Sequence, residues 1–280
     1  MCSLRKAPSF AQKSGRDCSF FPSDRRTKLA DGDCCRGDAS LKIRQPEKGY
    51  RFTIDSVLLA GFAAPFCWGR VLDLGTGCGV LLLLLSRLSG KMFLGAGVEI
   101  QEELFECARE NFLNNAPYKP DGAAIQAFLG DFREELPEII PGSFDLVVSN
   151  PPYGRLGEGR PNPNSGKEAA RHEVFSSLGE LFSVAGRFLS PSGRFAFILP
   201  VERIREIEML CRRERMSMKM VRFVCPREGE PPSRALCCLA RESCGSTEEL
   251  PPLILHAEKE KYCPEVESIC GLFRSGVQTI

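Results

Sequence analysis

A chain of 280 residues, 43% of them apolar, can bury a substantial core as one large domain or two small ones. Thirty-seven Lys and Arg stand against 36 Asp and Glu, so the net charge of +1 excludes a polycation, and any nucleic-acid contact must come from local patches. Fourteen cysteines occur singly or as neighbours and never as Cys-x-x-Cys, which argues against a zinc site and for thiols used as small hydrophobes in a reducing compartment.

Residues 1–40 are polar and aperiodic and read as a disordered arm that could touch phosphates. Up to Arg44 the chain carries ten Lys and Arg against five Asp. The arm lacks the apolar stretch of a secretory leader, and the run Val80–Leu85 is too short to span a bilayer. The expectation is a cytoplasmic protein with one folded domain over residues 41–280. Its first helix covers Phe52 to Ala64, with Ile54, Val57, Leu58 and Phe62 on one side. Strand Arg70–Leu74, helix Gly79–Leu88, strand Met92–Ile100 and helix Gln101–Asn115 follow. Strands Ala123–Leu129 and Phe144–Ser149 precede a helix over Glu168–Leu189, then a strand Arg194–Leu199 and a helix from Glu202 to Glu214. Strands Met220–Cys225 and Arg234–Ala240 close the set as an antiparallel hairpin. Alternating strands and helices of this kind give an α/β, Rossmann-like, doubly wound sheet of seven mostly parallel strands.

Chemistry enters at Asp73-Leu74-Gly75-Thr76-Gly77-Cys78-Gly79, where the first strand turns into a helix. Glycines let the backbone turn with positive φ and approach a ligand closely. A dinucleotide fingerprint would place a third glycine where Val80 stands, and an acid just before the turn would repel a pyrophosphate. Asp73 suits a cation better, and S-adenosylmethionine (SAM) carries both an ammonium and a sulfonium. Glu99, at the end of the next strand, can accept the two ribose hydroxyls of such a nucleoside. Asp131, after the third strand, can accept the adenine amino hydrogens beside Phe132. Tyr50, Arg51 and Asp55 are expected at the cofactor mouth.

Asn150-Pro151-Pro152-Tyr153 ends the fourth strand, on the side of an open sheet where ligands bind. An exocyclic amine on an aromatic ring is a poor nucleophile because its lone pair is delocalised. The Asn150 side-chain oxygen and the Pro151 carbonyl can accept its two N–H groups and stabilise the charge that develops during transfer. Prolines stiffen that loop, and Tyr153 offers a face on which a base can stack. The glycine- and proline-rich stretch that follows is basic, and Arg155, Arg160, Lys167, Arg171 and His172 are its candidate substrate contacts.

These motifs resemble those of class I methyltransferases acting on amino nitrogens. Within that group, Gln45–Ala60, Asn162-Pro163-Asn164, Ala170-Arg171-His172-Glu173, the loop Pro226–Arg234 and the segment Leu253–Ile269 with Tyr262 and Glu265 resemble the bacterial tRNA1(Val) adenine-N6 methyltransferases. The resemblance covers about residues 41–270 and implies a SAM-dependent enzyme that methylates adenine N6 beside a tRNA anticodon, with a closing strand in the last segment. It implies tRNA as partner, no metal and no obligate protein partner. The alternatives are a glutamine-N5 methyltransferase of release factors and a catalytically silent SAM-binding RNA chaperone or partner subunit.

Overall fold

A computed structural model describes residues 41–47, 51–115, 125–151, 178–241, 246–258, 261–273 and 277–279. One eight-stranded sheet organises the chain. Its strands are β2 (Gly69–Leu74), β3 (Phe93–Glu99), β4 (Ile125–Leu129), β5 (Phe144–Ser149) and β6 (Leu189–Pro200), continued by β7 (Met216–Cys225), β8 (Arg234–Arg241) and β9 (Glu248–Ile254). The order across the sheet is β4-β3-β2-β5-β6-β8-β7-β9. Strands β4 to β6 pair in parallel, and β8 runs antiparallel to both β6 and β7.

Both faces of the sheet are covered, which is why the central strands read as unbroken apolar runs. Successive residues enter opposite cores. Leu146 and Val148 face the core under α1 (Ile54–Ala63), α2 (Val80–Leu88) and α3 (Glu102–Asn115), whereas Val147 faces α4 (Leu178–Phe188) and α5 (Ile204–Arg213). The neighbours Cys237 and Cys238 on β8 also point to opposite cores, fully buried. They act as small hydrophobes, and burial pushes both thiols up from their ordinary pKa.

The sheet departs from expectation at its far edge. An eighth strand, β9, adds in parallel to β7 although it contains Pro251 and Pro252. The register explains it. Arg222 pairs with Leu250 and Val224 with Leu253, so the two prolines fall in a bulge on an edge strand, where the missing donors cost no ladder bond. The single closing strand expected over Leu253–Ile269 is divided. The chain leaves β9 for a short antiparallel pair, β10 (His256–Glu258) and β11 (Lys261–Tyr262), and then helix α6 (Pro264–Cys270). Glu265 at the start of α6 holds the edge through two hydrogen bonds from Arg222, at 2.6 and 3.0 Å.

Smaller shifts have local causes. Helix α1 starts at Ile54 because the Thr53 hydroxyl caps it, accepting the Asp55 N–H at 3.3 Å. Strand β6 begins at Leu189 rather than Arg194, with a register break around Pro191-Ser192-Gly193. A two-stranded parallel ribbon, β1 (Ile43–Gln45) with β12 (Val277–Thr279), lies apart from the main sheet. The arm 1–40 and the first part of the helix expected over 168–189 lie outside the described residues.

Candidate active site

The carboxyl ends of β2 and β5 converge with the starts of α1 and α2 on one concavity. Asp73, Gly75, Thr76, Gly77 and Asn150 line it, together with Phe52 and Ser56. Four of the residues expected to hold a cofactor thus share a wall with the residue expected to orient a substrate amine.

The glycine turn is held from behind by backbone and buried acids. The Gly75 and Thr76 N–H groups donate to the Val98 carbonyl at 3.0 and 2.9 Å. Asp73 is 1% exposed and accepts the Thr76 hydroxyl at 2.8 Å, so it shapes the turn from within. Glu99 accepts the N–H groups of Gly77 at 2.8 Å and Gln101 at 2.9 Å. Glycine is required at Gly79 for two reasons: its φ is +81°, and a Cβ there would sit 2.5 Å from the Phe112 ring.

Burial sets the charge state. It pushes Asp73 up to about 7, reinforced by the nearby Glu99 charge and opposed by the Thr76 hydrogen bond. Burial also raises Glu99, opposed by its backbone donors. Asp73 at the concavity and Glu99 behind the turn are two buried acids, whose charge a cation relieves and a polyphosphate worsens. Cys78 lines the same concavity, but burial pushes its thiol up to about 12, so it is a neutral wall group and no nucleophile.

Asn150 ends β5. Its Nδ2 donates to the Ser56 hydroxyl at 3.0 Å, which fixes the position of the amide at the concavity. Ser149 before it donates its hydroxyl to the Leu74 carbonyl at 2.8 Å, tying β5 to the glycine turn. Ser56 carries no signal in the sequence. It lies 94 positions from Asn150, and only the docking of α1 on the sheet brings the two together.

Other expected site residues are placed less centrally. Asp55 is 6% exposed and its Oδ2 accepts from Arg234 Nε at 3.3 Å, so it joins α1 to β8. The Arg51 guanidinium faces the side-chain oxygen of buried Gln45, at 2.9 and 3.0 Å. Asp131 receives Arg133 Nε at 2.9 Å on each oxygen, and that guanidinium holds its carboxyl below the usual range. Any ligand amino group reaching Asp131 must share it with Arg133. Phe132 packs against the second core beside Leu136 and Phe128. Two exposed apolar residues flank the Glu99 end of the site, Ile100 at 38% and Leu129 at 47% exposure. Neither carries a sequence signal, because an apolar residue at a strand end reads as core. Tyr50, Pro152, Tyr153, Arg155, Arg160, Lys167, Arg171 and His172 lie outside the described residues.

The chain is similar to known proteins. The family model described as methyltransferase small domain matches residues 54–199, which run from the first helix through the Asn150 strand to the end of β6. The chain belongs to the methyltransferase small domain family. A Pedobacter heparinus protein named tRNA1(Val) (adenine(37)-N6)-methyltransferase is 32% identical over 199 residues, 71% of this chain and 81% of that one. A Tolumonas auensis protein of the same name is 27% identical over 231 residues, 82% and 92% of the two chains. Among solved structures, a predicted O-methyltransferase from Agrobacterium tumefaciens superposes with a TM-score of 0.59 at 21% identity, covering 81% of this chain and 99% of its own. That likeness establishes the fold, a Rossmann-like class I methyltransferase. The family member described here is a SAM-dependent methyltransferase, and the acidic, glycine-lined wall fits the cationic cofactor. Among the described residues, no helix is long and apolar enough to cross a membrane.

Proposed function

We propose that this methyltransferase acts on adenine N6 in RNA, at an unpaired adenine of a tRNA anticodon loop. The observation that carries the reading is Asn150. Its amide is fixed by Ser56 and sits at the end of β5, on the same concavity as the cofactor turn. An amide oxygen held in advance suits an amine, whose N–H groups need acceptors. The names of the Pedobacter and Tolumonas relatives supply the nucleobase and the RNA class. A tRNA substrate also agrees with the cytoplasmic location expected from the sequence.

When bound, SAM supplies an electrophilic methyl group. The residues that fit it are Asp73 and Thr76 toward its charged end, Gly75 and Gly77 against its body, and Glu99 toward the ribose. The Asn150 oxygen accepts one amine N–H and the Pro151 carbonyl the other. Both localise the nitrogen lone pair and stabilise the positive charge that grows on nitrogen as its bond to carbon forms. The methylated nitrogen then loses its proton to water, so no strong base is needed. Tyr153 stacks the flipped base, and a loop adenine is cheap to flip because it is already unpaired. Arg155, Arg160, Lys167, Arg171 and His172 contact the flanking RNA.

The test is label partition. Purified enzyme is incubated with tritiated SAM and either unmodified tRNA or a release factor. The expected result is label in tRNA recovered as N6-methyladenosine. Label in the release factor and none in tRNA would establish the glutamine-N5 reading instead.

A further inference from the structure

We propose that Asn111 is a positioning residue for the cofactor, coupling the docking of strand β1 to the cofactor turn. The proposal rests on SAM as the cofactor and not on which nitrogen receives the methyl group.

Two asparagines one turn apart on α3 read the backbone of β1 as a neighbouring strand would. Asn111 Oδ1 accepts the Arg44 N–H at 2.7 Å, and its Nδ2 donates to the Arg44 carbonyl at 2.7 Å. Asn115 does the same for Lys42, at 2.9 and 2.8 Å. Arg44 also forms an ion pair with Glu110 of the same helix. Asn111 and Asn115 are 1% and 6% exposed, although their position in the last turns of α3 reads as ordinary polar surface.

Asn111 differs from Asn115 in its second amide bond, which in Asn115 goes to the Asn111 carbonyl at 2.8 Å within the helix. Its Nδ2 also donates to the Cys78 carbonyl at 2.9 Å, inside the glycine turn. Both its amide hydrogens are therefore committed, one to β1 and one to the turn. The adjacent helix residue Phe112 lies flush against Gly79. Glu99 holds Gly77 from the other side. The backbone from Gly77 to Gly79 is thus clamped between β3 and α3, and the clamp shares one amide group with β1.

The chain after β1 meets the concavity again at Phe52. Gln45 of β1 faces Arg51, and the next residue, Phe52, stacked on Phe273 at 5.5 Å, lines the same concavity as the turn. Strand β1 is thus tied to the turn through Asn111 and, through Gln45 and Arg51, to the segment that carries Phe52. A ligand held in the concavity stabilises the docked strand, and by linkage the docked strand tightens the ligand by the same factor.

The experiment is amide exchange at Lys42 and Arg44 in the full-length protein, with and without saturating S-adenosylhomocysteine. Bound ligand is expected to slow both amides by about tenfold or more. Asn111→Ala is expected to weaken S-adenosylhomocysteine binding by about tenfold and to abolish ligand-dependent protection at both amides. The kinetic loss falls on KM for SAM more than on kcat. Asn115→Ala frees Lys42 but leaves the Cys78 carbonyl held, and its affinity loss is smaller. Exchange at Lys42 and Arg44 that is unchanged by saturating ligand overturns the coupling, and needs no variant to fold. So does an Asn111→Ala protein with exposed strand amides and wild-type affinity. A wild-type protein that binds no S-adenosylhomocysteine removes the cofactor reading itself, an outcome distinct from either.

Discussion

The cofactor turn and the β5 rim lie on two sides of one concavity, yet different bonds hold them. On the turn side the partners are buried acids and amides, Asp73, Glu99 and Asn111, each bonded to the turn itself at 2.8 to 2.9 Å. Removing one leaves a buried polar group unsatisfied, at about 1–3 kcal/mol. On the rim the bonds are arginine–carboxylate pairs. Arg227, in the loop between β7 and β8, meets Glu230 with both side chains about half exposed. Exposed pairs of this kind contribute about 0–1 kcal/mol and are screened by salt. The cofactor side is thus set before the ligand arrives, whereas the rim arginines can exchange a carboxylate for a phosphate at little cost. Asn150 belongs to the first kind although it serves the second side, because Ser56 fixes it.

The largest expected break is at Asn150. Asn150→Ala should keep SAM affinity and lose turnover by a factor on the order of 100 or more, as when one preorganised electrostatic partner is removed. Single-turnover methylation beside a calorimetric titration measures both. Tyr153→Ala should be severely impaired, while Tyr153→Phe keeps much of the activity because stacking needs only the ring.

Next comes the rigidity of the turn. Gly79→Ala forces a side chain into a left-handed backbone and against Phe112, so the protein should lose about 1–3 kcal/mol of stability. A fall in melting temperature without cofactor measures it; an unchanged melting temperature would show the turn to be pliable.

The pH dependence sharpens the same contrast. Asp73 titrates near 7 in the folded protein, against 3.8 ordinarily. Its folded pKa is raised, so its burial disfavours the ligand-free fold increasingly as pH rises from about 4 toward 7. A cationic ligand favours the charged form, so binding below pH 7 must expel a proton. Affinity for SAM should fall as pH drops from 7 to 5, by up to about tenfold per unit, while its ammonium and sulfonium stay charged. Titrations in buffers of different ionisation enthalpy should reveal proton release at pH 6, and an Asp73→Asn protein should lose that release.

The smallest effects belong to the rim. Arg227→Ala and Arg234→Ala should each flatten the log–log salt dependence of tRNA binding by about 0.7 to 0.9 for every phosphate left without its cation. Arg227→Ala should leave stability within about 1 kcal/mol. Arg234 also holds buried Asp55, so its removal should cost more. A salt slope unchanged in both would leave the rim without a role in RNA binding.

Strand ends and the glycine turn are legible in the sequence because their signals are local: an apolar run, an acid, then glycines. Asn150 is legible for the same reason. What escapes depends on residues far apart in the chain. Ser56 and Asn150 are 94 residues apart, and Asp55 and Arg234 are 179 apart. Asn111 looks like solvent-facing polar surface, because helical periodicity marks apolar faces and cannot show a strand lying across a polar one. The prolines of β9 argue against a strand until the register places them in a bulge. Asp131 reads as a ligand for adenine, and the sequence gives no sign that Arg133 also bonds it.

The division of labour between the two sides is tested most directly by a crossed pair of variants. Glu99→Gln and Asn150→Ala are compared for SAM dissociation constant and for the single-turnover rate at saturating SAM. Glu99→Gln should weaken binding, each missing bond to the charged acceptor costing about 1.5–3 kcal/mol, and retain most of the saturated rate. Asn150→Ala should do the reverse. Two variants that lose binding and rate in the same proportion would contradict the separation of a cofactor side from an amine-orienting side.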